Sequence, residues 1–352
     1  MVLIRPFEES DSPEMLEIEK LCPHGDEKYA MGVRKFDIIS RYKMYDNWKV
    51  IVAEEDGRVV GWIGWTMKGE TSSGTYTYLV EVMVHPEFRR KGIALELSKV
   101  VEERAREIGA NHIYCYIFEP NFASRSLFEM QGYTDVLDAK TCAKSVYKES
   151  KLSNKFQIER FAEEDLPEII QLLNTYNTGY IHYAAFTPDS FLSHLNSIPG
   201  YGSDNYWVAR EGDRIAACAG LWDSSLIAET CYTRMPFMWK LMGSILRPLG
   251  KFMKVQKIPA EGEYFKVHYI TDYAFNSGAS EAMQALLDHL NNFLLEAGGE
   301  CLAASLDEND PLFKVIGNLK PQIEVFKVYA KSLNGGLPGF SPFNVDIKDM
   351  VL

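Results

Sequence analysis

The sequence has no Cys-x-x-Cys pair; its six cysteines, Cys22, Cys115, Cys142, Cys218, Cys231 and Cys301, are scattered over 352 residues. That usage fits reduced, mostly buried thiols of a cytoplasmic protein. No set of His, Cys and carboxylate residues has metal-ligand spacing, so no metal is expected. No apolar run is long enough to span a bilayer. The N-terminus, Met1-Val-Leu-Ile-Arg-Pro-Phe, reads as a strand and not as a signal peptide. Positive charge is scarce: 37 Lys and Arg face 49 Asp and Glu, a formal net charge of -12. That charge argues against general nucleic-acid binding, which needs a basic face. The acidity is compatible with a cationic substrate such as an amine, and equally with an ordinary acidic cytosolic protein.

What is present is a soluble globular composition, 46% apolar and 24% charged, at a length that suggests two domains. One stretch organises the first of them, Tyr78 to Ala94. Leu79 to Val84 is a strand signal, followed by a short basic turn, Arg89-Arg90-Lys91-Gly92-Ile93-Ala94, and then a helical run from Leu95 to Ile108. The first turn of a helix leaves backbone N–H groups unpaired, and its dipole adds partial positive charge. A strand that ends in a small-residue turn and opens a helix is therefore an anion site suited to phosphate. Alternation places Leu79, Glu81 and Met83 on one face of the strand. A carboxylate there is costly unless it faces water or a site, which marks Glu81 as a candidate base.

The first half reads in order as a strand at Val2–Ile4, a helix to about Leu21, and a second helical stretch from Asp26 to Tyr45. A strand pair follows, Trp48–Ala53 and Val59–Met67, around an Asp56-Gly57 hairpin. After a polar turn at Gly69–Gly74 come the long strand to Val84, the helix, a strand at Asn111–Phe118, a short helix at Phe122–Met130 and a last strand or hairpin at Tyr133–Tyr147. This order, with Arg89-x-x-Gly92-x-Ala94 after the fourth strand, resembles the GNAT superfamily of acyl-CoA-dependent N-acetyltransferases. A second motif lies in register: Asn121, Ser124, Leu127-Phe128 and Gly132-Tyr133.

The resemblance covers residues 1–150 and implies an α/β fold with a mixed, mostly antiparallel sheet flanked by helices. It implies acetyl-CoA as co-substrate, with the pyrophosphate at Arg89, Arg90, Lys91, Gly92, Ile93 and Ala94. The pantetheine arm and thioester would lie along Val82, Met83 and Val84, beside Asn121, Ser124 and Phe128. Glu81 would be the base in a direct transfer to an amine, of a small molecule or of a peptide or protein. Phe128 stands where many members carry a tyrosine that protonates the departing thiolate; Tyr114, Tyr116 and Tyr133 are the available substitutes, or simply packing residues. His85 reads as a strand terminator. A non-catalytic acyl-CoA sensor is the alternative. The acceptor is not named by the sequence, and the oligomeric state is open, a homodimer included.

Residues 151–352 repeat the pattern at a spacing of about 150 residues. Phe156–Phe161 echoes Leu3–Phe7, and a strand pair, a long strand at Glu263–Phe275, a helix at Ala279–Ala297 and a strand at Cys301–Ser305 follow. The turn Asn276-Ser277-Gly278-Ala279-Ser280 is short and has no arginine, so this copy reads as a degenerate GNAT lobe. Residues 226–258 form a basic, Met-rich insertion. It reads as an amphipathic helical hairpin packed on its own domain, or as a lid or a surface for acidic partners or lipid.

Overall fold

The computed structural model describes residues 2–71, 74–250 and 252–350. The first half runs β1 (Leu3–Pro6), α1 (Ser12–Leu21), β2 (His24–Gly25), β3 (Ala30–Lys35), β4 (Trp48–Glu55), β5 (Arg58–Thr71), β6 (Gly74–Val84), α2 (Ile93–Glu107), β7 (His112–Phe118), α3 (Phe122–Met130) and β8 (Thr134–Ser145). The second runs β9 (Gln157–Arg160), α4 (Leu166–Tyr176), α5 (Pro188–Ser197), β10 (Tyr206–Glu211), β11 (Arg214–Asp223), β12 (Ala228–Arg234), α6 (Phe237–Leu249), β13 (Tyr264–Phe265), β14 (Val267–Phe275), α7 (Ser280–Glu296), β15 (Cys301–Asp307), α8 (Pro311–Gly317) and β16 (Gln322–Ser332). The Asp56-Gly57 turn joins β4 to β5 as expected. Part of the turn between β5 and β6, residues 72–73, lies outside the described residues.

Twelve strands form one sheet in the order β1-β4-β5-β6-β7-β16-β8-β15-β14-β11-β10-β9. Its pairs are antiparallel except β6–β7 and β14–β15. Read from either end, the order is the same. Each half contributes five strands in matching sequence, and then the last strand of the other half. β16 lies between β7 and β8, and β8 lies between β16 and β15. The boundary near residue 150 therefore separates the halves along the chain but not in the sheet.

Helices cover both faces because their apolar residues recur every three to four positions. On α2, Ile93, Leu97, Val101 and Ala105 are buried against Ile51, Ile63, Leu79 and Ile113. On α7, Ala282, Leu286, Leu290 and Leu294 are buried against the second half's strands. The opposite face holds a core common to both halves, in which Met15, Trp62, Tyr78 and Tyr114 join Ile169, Phe191, Trp222 and Phe343. The six cysteines are free thiols, five of them buried. Among the described residues no helix is long and apolar enough to cross a membrane.

Two expected helical regions differ. Residues 26–45 hold β3 and a 3-10 turn at Tyr42–Met44 instead of one helix. Met31, Val33 and Lys35 alternate inward, which a strand buries and a helix does not. β3 gains its partner from the other half, pairing antiparallel with β12 in a small sheet of order β13-β12-β3-β2. The insertion is accordingly no helical hairpin: it is β12, the single helix α6 and an extended return to β13. Lys251, one of its basic residues, lies outside the described residues.

The exchanged strands set a testable limit. Residues 1–150 expressed alone lack β16, leaving the inner edges of β7 and β8 unpaired. That fragment is expected to aggregate or to show no near-ultraviolet circular dichroism, and to regain it on refolding with 151–352. A folded monomeric fragment would contradict this.

Candidate active site

β6 and β7 pair in parallel only at Thr77–Ile113 and Tyr78–Tyr114. Beyond these pairs the strands part. β6 is bent there by a bulge, since Glu81 faces Gly64 and Leu79 faces Trp65, leaving Val80 unopposed. The wedge between the strands has a free volume of about 70 Å³. Its walls are Tyr78–Val82 from β6, Cys115–Phe118 from β7 and Asn121, Ser124 and Phe128 from α3. Thus Glu81, Val82, Asn121, Ser124 and Phe128 come together as expected. Met83 does not join them: it is buried in the core. Nor does Val84, whose carbonyl accepts from Arg89 Nε at 3.1 Å.

The turn after β6 leads directly to α2. Pro86–Phe88 make a 3-10 turn, capped by His85 Nδ1, which accepts from the Glu87 N–H. That is the terminator role expected of His85. Arg90 and Gly92 both have positive φ, 63° and 83°. Gly92 is the N-cap of α2 with open space around it, so its requirement is backbone conformation and not room. Only the Glu96 N–H turns back, to Gly92 O at 3.0 Å. The N–H groups of Ile93, Ala94 and Leu95 have no protein acceptor among the described residues, which is an anion cradle. Arg90 and Lys91 are exposed beside it, with Lys91 3.6 Å from Glu55. Arg89 is folded back, its second contact being Cys22 Sγ at 3.1 Å.

Glu81 is not free to act as expected. Its carboxylate receives Lys35 Nζ at 2.6 Å, Tyr42 OH at 2.5 Å and Trp62 Nε1 at 3.3 Å. Burial alone would raise its pKa, but Lys35 and Arg41 and these hydrogen bonds hold it down to about 2. Lys35 also reaches Glu19 at 3.1 Å. One ammonium cannot fully neutralise two buried carboxylates, and burial raises Glu19 to about 7. Glu81 is thus the anchored counter-ion of a buried lysine, a weak base with its oxygens occupied.

A different carboxylate reaches the wedge, on a segment more than 200 residues away. The chain after β16 returns across the shared core, bound by Ile181 N to Pro342 O and Asn344 N to Ile181 O. Its end places Asp349 and Met350 in the wedge wall, with Arg41 and His24. Asp349 accepts from Tyr114 OH at 2.6 Å, Tyr45 OH at 2.9 Å and Lys68 Nζ at 2.6 Å. Its main-chain oxygen is held by Arg41 at 2.8 Å and Tyr78 OH at 2.9 Å. Burial raises its pKa, opposed by Lys68. Tyr116, also in the wall, has a buried hydroxyl without a partner among the described residues, as does Tyr133, which instead packs on Phe128. No local spacing in the sequence points to Asp349, Arg41 or His24, because their approach depends on the tail's return.

The second half has the same wedge geometry but a different cradle. β14 and β15 part after Ile270–Ala304, and Gly278 has φ 83°, as Gly92 does. Its turn has four residues against eight, and the charged residues lining the cavity there are Glu168, Glu211 and Glu281 with Lys155 and Arg214. Lys155 is taken up by Glu211 and Glu281.

Comparison with known proteins agrees with this geometry. Residues 13–133 match the Acetyltransferase (GNAT) family. Over 269 residues the chain is 23% identical to a probable N-acetyltransferase HLS1-like of Arabidopsis thaliana, covering 69% of this chain and 63% of that protein. A GCN5-related N-acetyltransferase from Sphaerobacter thermophilus superposes with a TM-score of 0.62 at 13% identity, over 96% of this chain and 97% of that one. A tandem GNAT protein from the clavulanic acid biosynthesis pathway superposes at 0.60 and 11% identity, over 96% and 100%. The match to the Arabidopsis thaliana protein spans less than two thirds of that protein's length. Residues 13–133 belong to the GNAT acetyltransferase family, and the chain has the fold of a tandem GNAT protein.

Proposed function

We propose that the chain is an N-acetyltransferase that moves acetyl from acetyl-CoA directly to a primary amine, with one CoA per chain in the first half. The observation that carries this reading is the adjacency of the parted β6–β7 wedge to the open first turn of α2. The pyrophosphate would rest on the N–H groups of Ile93 to Leu95, with Arg90 and Lys91 alongside. The pantetheine arm would use the edge of β6 that β7 leaves unpaired. Backbone N–H groups at the bulge around Val80 would serve a thioester oxyanion formed in the wedge. A free volume of about 70 Å³ suits an acetyl group better than a long acyl chain.

In the transfer, the amine nitrogen attacks the thioester carbon, the C–S bond breaks, and CoA leaves as its thiolate. The ammonium must first lose a proton. We assign that proton to Asp349, which like Glu81 is bound by a lysine and by tyrosine hydroxyls, but whose pKa is raised where that of Glu81 is lowered. Tyr116, with its unpartnered hydroxyl in the wedge wall, would donate to the thiolate in place of the tyrosine that Phe128 replaces.

Two measurements test the assignment. Gly92→Val forces a β-branched residue to positive φ and is expected to weaken acetyl-CoA binding at least tenfold by calorimetry, at one site per chain in the wild type. Unchanged affinity, or two sites, would refute the single cradle. Asp349→Asn is expected to lower kcat by about 10²–10⁴-fold near neutral pH and to recover partly above the amine's own pKa. Glu81→Gln should lower Tm while keeping the wild-type shape of the pH–rate profile. The reverse pattern would return the base to Glu81, and acetyl-CoA binding without thiol release from any amine would mark a sensor.

A further inference from the structure

Where β14 and β15 part, a cavity of about 220 Å³ opens. A single water needs only about 10–15 Å³ by the same measure. Three carboxylates stand in its wall, Asp272, Asp310 and Asp346, with one lysine, Lys348; Asp346 is paired with Lys68 and Lys348. Asp272 lies at the bulge of β14, the position that Val80 holds on β6. Its oxygens meet His194 Nε2 at 3.1 Å and Tyr201 OH at 2.9 Å. Asp310 is 4% exposed and accepts from Tyr176 OH at 2.5 Å, Tyr273 OH at 2.9 Å and the Leu312 N–H at 2.8 Å.

Neither Asp272 nor Asp310 has a lysine or arginine partner among the described residues. Asp11, Asp165, Glu81 and Asp349 each have one, whereas the buried Asp307 and Glu324, like Asp310, are held by uncharged donors alone. A carboxylate withdrawn from water is costly without a counter-charge, and hydroxyl donors offset only part of that cost. Burial accordingly raises the pKa of Asp310. The rest of the wall mixes polar side chains, Asn177, His182 and Asn344, with the rings of Tyr180, Tyr183 and Phe343, and the rings favour an organic cation over a hydrated metal ion.

The cavity adjoins the wedge. His182, in the cavity wall, stacks on Tyr76 at 3.9 Å and lies 4.7 Å from the ring of Tyr114, which donates to Asp349. The tail from Phe343 to Lys348 lines the cavity and its next two residues line the wedge. We propose that this cavity binds the ammonium group of the acceptor amine, with Asp272 and Asp310 as its counter-charges and the tyrosines around its carbon frame. The acceptor role rests on the transferase reading above; the binding of a small organic ammonium does not.

Calorimetry on the CoA-free chain tests the site, with putrescine, spermidine and tyramine as probes and acetyl-CoA titrated separately. At least one amine should bind at one per chain. Asp272→Asn and Asp310→Asn should each weaken it tenfold or more while leaving acetyl-CoA affinity and Tm unchanged. Asparagine tolerates the positive φ of residue 272, 46°, and can still cap α8 at 310. Absence of binding by all three probes, or equal binding by the variants, would overturn the site. With the bound amine as substrate, Asp272→Asn should raise KM with little change in kcat; an unchanged KM would overturn the acceptor role while leaving the binding site in place. Loss of acetyl-CoA binding in the wild type would sink the transferase reading without touching the amine result.

Discussion

The structure depends on the exchange of β8 and β16 at the middle of the sheet. β7 is paired on one side along its length with β16, seven residue pairs from Phe326–Phe118 to Ser332–His112. That pairing satisfies its backbone and fixes its direction, so β7 can part from β6 on the other side without losing its place. A wedge between parallel strands exposes N–H and C=O groups that a compact domain would otherwise pair. Here the unpaired edge is supported because a strand from the other half holds the far side rigid. The same exchange holds the second half in place and brings the chain end back across the shared core.

The legible part of this arrangement was local. The Asp-Gly hairpin, the strand at Tyr78–Val84, the glycine that opens α2 and the asparagine that caps α3 each depend on residues within one turn or one pleat. Asn121 illustrates it: its side chain accepts from the Ser124 N–H, an interaction fixed by a spacing of three. The misread segment, 26–45, failed for the complementary reason. Its apolar residues fit a helix about as well as a strand at that length, and what decides is β12, almost 200 residues further on.

Glu81 shows the same limit at the level of chemistry. Alternation put it on the right strand, and it does lie in the wedge wall. Its role is decided by Glu19 on α1, and by Lys35 on β3 and Tyr42 in the 3-10 turn, both of which lie in the region misread as helix. A buried carboxylate within a strand was correctly a signal that something compensates it. Whether the compensation is a substrate proton or a lysine is a tertiary fact. Asp349 carried no signal, because nothing in a tail of mixed polarity marks which aspartate returns to the sheet.

The two wedges differ in a way that follows from charge. In the first, the buried carboxylates each have a cation, and the turn beyond offers unpaired N–H groups to an anion. In the second, three glutamates line the turn beyond with Lys155 and Arg214, and Asp272 and Asp310 have hydroxyl and imidazole partners but no lysine or arginine, while Asp346 is paired with Lys68 and Lys348. Under the proposed reading, one fold used twice would hold opposite ligands, a phosphate-bearing one in the first half and a cation in the second. A transferase joining an acyl-CoA to an amine needs both. The exchange of β8 and β16 keeps the two wedges on one rigid sheet, so that ordering the chain once orients both toward the common tail.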